Sequence, residues 1–372
     1  MLVEDLVQAM ETLAPPRYAE AWDNVGLLVG DPKRAVTGPV LLTIDLTPDV
    51  AAEAIEAKAG AVIAYHPPIF AALKRLVMRS PQSSVVPRMI ESGIAVYSPH
   101  TALDNTPGML TDWLIDQCGA VGERAALVPA PAADAMCKVV VFVPAVPGDV
   151  IERVRAAMAS AGAGVIGNYE SCSFASAGRG SFRGNEASRP AVGRAGELES
   201  VEELRLEMVC PAAMVEAVIA AVRSVHPYEE PAFDVYPLAG RTERRAGGGR
   251  VAMLNSPTAL ADITGRLKQR LGIAAVQVAE ARSTVSRIAC VPGSGAALVS
   301  AAIAAGADCF VTGEMKHHEV LAALDGGCSV ILAGHTETER PYLKVLCERL
   351  VSMGLGARFM VSARDRAPLR GA

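Results

Sequence analysis

Aromatic residues are scarce in this chain of 372 residues, at 4%, and its apolar half is carried mainly by Ala, Val and Leu. Side chains of that size let helices lie close against a sheet, so the composition suits an α/β packing. Basic excess is also missing. A net charge of −5 speaks against a general nucleic-acid-binding surface, although a local basic patch stays open. No run of about 18 uninterrupted apolar residues occurs, so neither a transmembrane helix nor a membrane partner is expected. The opening MLVEDLVQAMETL has acids among its first five positions and reads as an amphipathic helix rather than a secretory leader. The expected compartment is the cytoplasm. The eight cysteines are scattered, with no CxxC pair. They read as small core residues, not as a disulfide framework or zinc ribbon.

What is present is an alternation of helix and strand signals. Leu2, Leu6, Val7, Met10 and Leu13 recur at near-helical spacing over residues 2–13, and Pro15–Pro16 end the run. Strands are expected at 40–44, 61–64 and 94–97, with a helix at 48–59 between the first two. This rhythm predicts a largely parallel sheet. At VPAPAADA, from Val128, the pattern breaks into a linker. A strand at 138–145, a helix at 147–161, a Gly- and Ser-rich stretch at 162–196, a strand at 203–209, a helix at 212–225 and a strand at 232–238 follow. That order approximates β-α-β-β-α-β, the ferredoxin-like arrangement. AGRTERRAGGGR at 239–250 reads as a second linker, after which the first pattern resumes. Helices are expected at 260–271, 298–305, 317–324 and 338–353, and strands at 287–291, 309–312 and 329–333. The expected architecture is one α/β domain in two parts, 1–130 and 246–372, split by an inserted domain at 131–245.

Five of the six histidines fall in four segments: AYHPPIF, SPHTALDN, TGEMKHHEV and AGHTETER. Each segment lies where a strand ends or a helix begins, the edge at which open α/β sheets place ligands. His335 and Glu339 are four apart at the expected start of a helix, so both can reach one face; His100 and Asp104 repeat the offset. Imidazole with carboxylate suits Zn, Fe, Mn or Ni better than Ca or Mg. A carboxylate such as Glu339 can bridge two ions about 3.5–4 Å apart. His317 reads as exposed. Trp22 reads as buried, and Asp23 and Asn24 after it either orient site groups or cap a turn. GSG at 293–295 is either an anion cradle or a tight turn. His226, in HPYEEP, reads as structural or as part of a ligand or assembly surface.

WDNVGLLVG (22–30), YHPP, HTALDN, TGEMKHHE and GHTETER together resemble the motifs of the GTP cyclohydrolase 1 type 2 homologue family, also called Nif-three-like. The inserted IGNYESCSF and HPYEEPAFDVYPL resemble the extra domain of its longer bacterial members, which is similar to CutA-type and PII-like folds. The resemblance covers essentially the whole chain. It implies a site of two divalent metal ions with ligands His66, Asp104, His335 and Glu339, and zinc as the expected metal. It also implies a toroidal homohexamer. Many bacterial members have two adjacent histidines where this chain has Tyr65–His66, so Tyr65 removes one expected metal ligand: the site then either holds one metal more weakly, or a water or Tyr65 itself completes the surroundings of the ions. His100 and His318 are candidates for acid–base groups or extra ligands. The implied activity is metal-dependent hydrolysis related to the family name. The alternative is a non-enzymatic metal-handling or small-molecule-sensing protein.

Overall fold

The computed structural model describes residues 1–132, 135–146, 149–240 and 242–369. The chain divides into two compact units: Met1–Ala130 with Glu243–Ala372, and Pro131–Thr242. Ala133–Asp134 of the expected first linker, Pro147–Gly148 at the start of an expected helix, Arg241 of the second linker and residues 370–372 lie outside the described residues.

The first unit is built on two mixed sheets. In one, Phe359–Val361, Val40–Thr43, Ala61–Ala64 and Ala95–Ser98 run parallel in that spatial order, and Gly26–Val29 closes the edge antiparallel. In the other, Thr284–Cys290, Cys309–Thr312 and Ser329–Leu332 are parallel, flanked by antiparallel Arg250–Ala259, Ala120–Ala125 and Gln277–Ala279. The parallel strands are where the sequence shows continuous apolar runs. Along Val40–Thr43, Val40 and Leu42 pack with Leu6, Met10 and Leu346, while Leu41 packs with Val50, Val62 and Met89 on the other face. Cys309 and Val311 likewise face one core and Phe310 another. Both faces are covered, so no polar alternation is required.

The helices follow from local signals. Val3–Leu13 buries Val3, Leu6 and Met10 on one stripe. Pro48–Glu56 begins with proline in its first turn, and the Thr47 hydroxyl accepts from the Val50 amide at 3.3 Å. The expected second linker is instead a strand, Thr242–Gly248, paired with Val128–Pro131. Gly247 explains why glycine stands in it: at φ +120°, a Cβ there would lie 2.2 Å from the Val128 carbonyl oxygen. Arg250, also read as linker, is fully buried. It donates to Asp112, to the carbonyls of Gly247 and Gly249, and to that of Asn105.

The second unit is a four-stranded antiparallel sheet in the order Phe233–Pro237, Met136–Pro144, Leu198–Pro211, Phe174–Arg183, with helices Val150–Ser160 and Val215–Val225. Val139, Val141 and Val143 bury one face with Leu206, Met208, Val154 and Val218. On the opposite face Lys138 pairs with Glu207 at 2.8 Å. The strand Phe174–Arg183 comes out of the Gly- and Ser-rich stretch, whose composition hid it. His226 is buried, accepts from the Tyr228 amide at 3.1 Å and donates to the Phe142 carbonyl at 3.0 Å. With one ring nitrogen accepting and the other donating, the ring is a neutral structural peg, and desolvation pushes its pKa down.

Candidate metal centre

The site forms at the carboxyl ends of parallel strands. Beyond Ala61–Ala64 the ladder continues for two residues: the Tyr65 amide donates to Thr43 O and the His66 amide to Ile44 O. That registers His66 beside Asp45, and His66 Nδ1 lies 2.9 Å from Asp45 Oδ1. His335 follows the strand Ser329–Leu332. The expected helix from Thr338 begins only at Tyr342. His335 to Glu339 instead lie in consecutive turns, whose bonds Thr338 N to Gly334 O and Arg340 N to Thr336 O keep near-helical spacing. His335 Nδ1 lies 3.0 Å from Glu314 Oε1.

Both histidines are therefore arranged alike. A carboxylate at Nδ1 fixes the proton there and leaves the Nε2 lone pair free, as in carboxylate–histidine–metal groupings. The two Nε2 atoms face one carboxylate: His66 Nε2 is 3.6 Å from Glu339 Oε2, and His335 Nε2 is 3.4 Å from Glu339 Oε1. Glu339 is 2% exposed, and its Oε2 has no hydrogen-bond partner among the described residues. Lone pairs aimed at a desolvated carboxylate repel unless positive charge stands between them. One ligand atom from each of His66, His335 and Glu339 falls within 4.8 Å of the others. Four-coordinate zinc, with bonds of roughly 2.0–2.2 Å, separates its ligand atoms by about 3.4 Å. The donor set and its spacing fit a divalent cation.

Gly293 forms the wall behind it. With φ +60°, its missing Cβ would lie 2.4 Å from Glu339 Oε1 and 3.1 Å from His335 Nε2. The GSG loop is thus a close turn rather than an anion cradle, since the Gly293 and Gly295 amides already donate to Thr338 Oγ1 and Thr312 Oγ1.

A second group adjoins the first. The Tyr65 hydroxyl donates to Asp104 Oδ1 at 2.7 Å. His100 lies with its ring 5.5 Å from that of Tyr65 and 5.3 Å from that of His66. His100 adopts φ +24°, rare for a side chain. It is held there by Asp23, which lies 2.8 Å from its Nδ1 and accepts from the Thr101 amide and hydroxyl. Desolvation raises the Asp23 carboxyl, but the bonds from His100 and Thr101 outweigh it and leave the group low. Asp45 is low for the same reason, with His66 the main opposing partner. Burial outweighs the opposing His100 and Tyr65 on Asp104, pushed up to about 6, and on Glu339 burial, with the charges of Asp104 and Asp45, outweighs Arg340 and raises the group well above the carboxylate range.

The residue pattern and the fold have close counterparts. The profile of the family described as Duf34/NIF3 (NGG1p interacting factor 3) matches residues 1–368. The chain belongs to the Duf34/NIF3 family. A Bacillus subtilis relative named GTP cyclohydrolase 1 type 2 homolog is 35% identical over 370 residues, 98% of this chain and 97% of that one. A Listeria monocytogenes protein of the same name is 32% identical over 366 residues, 97% of this chain and 96% of that one. Among solved structures, a Bacillus cereus protein related to NIF3 is similar with TM-score 0.69 and 32% identity, covering 100% of this chain and 99% of that one. Staphylococcus aureus protein SA1388 is similar with TM-score 0.78 and 27% identity, at the same coverage.

In this Duf34/NIF3 chain the candidate ligands His66, His335 and Glu339 converge. Asp104 and Tyr65 bond to each other beside them, and His100 adjoins both groups. His318 is exposed on the helix His317–Asp325, with no hydrogen bond from its ring among the described residues. His317 is exposed on the same helix. Trp22, expected to be buried, is 60% exposed; its ring lies tilted against Phe70 and edge-on to His100, each centroid 6.0 Å away. Asn24 donates to the Ile69 carbonyl at 2.6 Å and so ties two loops together. The spacing does not single out Asp45 or Glu314 as site residues, and it offers Gly293 only as part of a turn or anion cradle. The signal available for all three is their position, two or three residues beyond a parallel strand.

Proposed function

We propose that this protein binds divalent cations at His66, His335 and Glu339 and uses them as a metal-dependent hydrolase. The observation that carries this reading is the pair of free Nε2 atoms facing a buried carboxylate with an unpartnered oxygen. The nitrogen and oxygen donors suit zinc, with Fe, Mn or Ni as alternatives. Asp104, together with Glu339, would hold a second ion, which would make the site dinuclear. Cations bound there would polarise a substrate and activate water near neutral pH. Asp45 and Glu314 hold the two imidazoles in their ligating tautomer. His100, oriented by Asp23, is the proposed proton-transfer group, and His318 is the other candidate. Tyr65 keeps Asp104 in place through its hydroxyl. The relatives' name supports an activity akin to GTP cyclohydrolase.

The same family resemblance supports a toroidal homohexamer in the cytoplasm with a small-molecule substrate or ligand. The strand order and two helices of the second unit support a ferredoxin-like insertion of the CutA or PII type, with boundaries near 131 and 245. A non-enzymatic role in metal handling or small-molecule sensing is favoured by one contact. Tyr65 takes up one oxygen of Asp104 and leaves the other for a second ion, which would then be held by few protein donors and would exchange readily. Metal content per chain, measured alongside turnover of GTP and model phosphoesters or amides, separates the two. About two ions with metal-dependent turnover supports the hydrolase. One ion without turnover supports metal handling, and none sinks both.

A further inference from the structure

Trp22 and Phe70 are each 60% exposed, and neither belongs to the candidate ligand set. Large aromatic side chains left in water forgo the stabilisation of burial, and exposed rings that adjoin mark a contact surface. These two adjoin, with centroids 6.0 Å apart and planes tilted by 51°. Trp22 also meets the His100 ring edge-on at 6.0 Å, and His100 meets the His66 ring at 5.3 Å. Two ring contacts thus connect the open indole to a candidate metal ligand. The side chains of His66 and His100 keep 23% and 14% of their surface exposed, so the centre is not sealed off.

Neighbouring residues fix both rings in place. Asp23, next to Trp22, lies 2.8 Å from His100 Nδ1 and accepts from the Thr101 amide at 3.1 Å. Asn24 donates at 2.6 Å to the carbonyl of Ile69, the residue before Phe70. Each exposed ring is therefore pinned within two residues of itself, and little of its freedom is left to lose when a ligand settles on it. A held aromatic surface of this kind binds flat conjugated rings by stacking, and it tolerates different bases because each presents a π-face. We propose that Trp22, with Phe70 beside it, is the stacking platform for the substrate of the metal centre, and that this substrate carries a flat heteroaromatic ring of the nucleobase kind. The proposal rests on the metal-centre reading for the place of the chemistry and adds to it the residues that select the ring.

The test compares guanosine monophosphate, adenosine monophosphate and ribose phosphate, which share the sugar phosphate and differ in the base. Affinities are measured by calorimetry on the zinc-loaded full chain, with metal content and sedimentation mass read on the same samples. The chain has two tryptophans, so Trp113→Phe leaves Trp22 as the sole fluorescent reporter. Both nucleotides should bind at least about tenfold more tightly than ribose phosphate and quench Trp22 emission. Trp22→Ala should bring both down to the level of ribose phosphate with metal content unchanged, Trp22→Phe should keep most of the difference, and Phe70→Ala should lose part of it. Nucleotides that bind no better than ribose phosphate, or a preference for them that survives Trp22→Ala, would overturn the proposal. A drop in sedimentation mass in Trp22→Ala with that preference intact would assign the rings to an interface between copies of the chain, and the proposal fails. If no metal binds, the metal-centre reading fails separately, and guanosine, which has no phosphate, still decides the platform: quenching of Trp22 supports it and no quenching sinks it.

Discussion

Gly293 abuts the Glu339 carboxylate so closely that a Cβ on it would stand 2.4 Å from Oε1. The carboxylate cannot retreat freely, because it is buried among Asp104, Asp45 and the two imidazoles. Gly293→Ala should therefore displace Glu339 and weaken metal binding by at least about tenfold. The left-handed backbone there adds a folding cost of about 1–2 kcal/mol. Metal titration together with urea unfolding reads both effects. Unchanged affinity would show that the glycine is not needed for the site.

Asp45 and Glu314 act on the metal only through the histidines. Asp45→Asn and Glu314→Gln should each lower metal affinity by roughly 10–100-fold while leaving the stoichiometry intact. Their effects should differ in kind from that of His66→Ala, which removes a donor and should lower the stoichiometry. A competition titration with a chromophoric chelator makes the distinction.

Glu339 is a conflict in the metal-free chain, since a desolvated carboxylate with an unpartnered oxygen costs stability. Glu339→Gln should raise the thermal midpoint of the chelator-treated protein and lower it, relative to the parent, when metal is present. A midpoint that falls in both conditions would assign Glu339 a structural role instead.

The pH dependence has a definite sign. Burial holds the Asp104 carboxyl up at about 6, against an ordinary 3.8, with His100 opposing the shift. Between those values the folded chain binds more protons than the unfolded one, so stability falls as pH rises through that window. Glu339 is shifted in the same direction. Asp23 and Asp45, held low, act in the opposite sense and only at more acid pH. The metal-free protein should thus be more stable at pH 5 than at pH 7. Asp104→Asn should flatten that difference, as denaturant unfolding at the two pH values would show.

The parallel strands and the four histidine segments were legible in the sequence, because a strand buried on both faces needs an unbroken apolar run. Ala61–Ala64 and Cys309–Thr312 show this plainly. Thr242–Gly248 and Phe174–Arg183 were not legible, since glycine, serine and charged residues carry little strand signal. In the first case only the approach to Val128 reveals why glycine is there. Trp22 misled because a large aromatic side chain usually signals burial, whereas this one lies open beside Phe70 and His100. The ligand candidates could be named from spacing. Their supports could not, because Asp45 and Glu314 meet the histidines across neighbouring parallel strands, 21 residues away in each case, at a register the spacing alone does not show.

Metal content of the parent chain and of Glu339→Gln, measured by elemental analysis after identical purification at one pH, tests the central claim most directly. The account predicts at least one divalent ion per chain in the parent and a loss of most of it in Glu339→Gln, with both proteins folded. Equal metal in the two, or none in the parent after incubation with zinc, would contradict it.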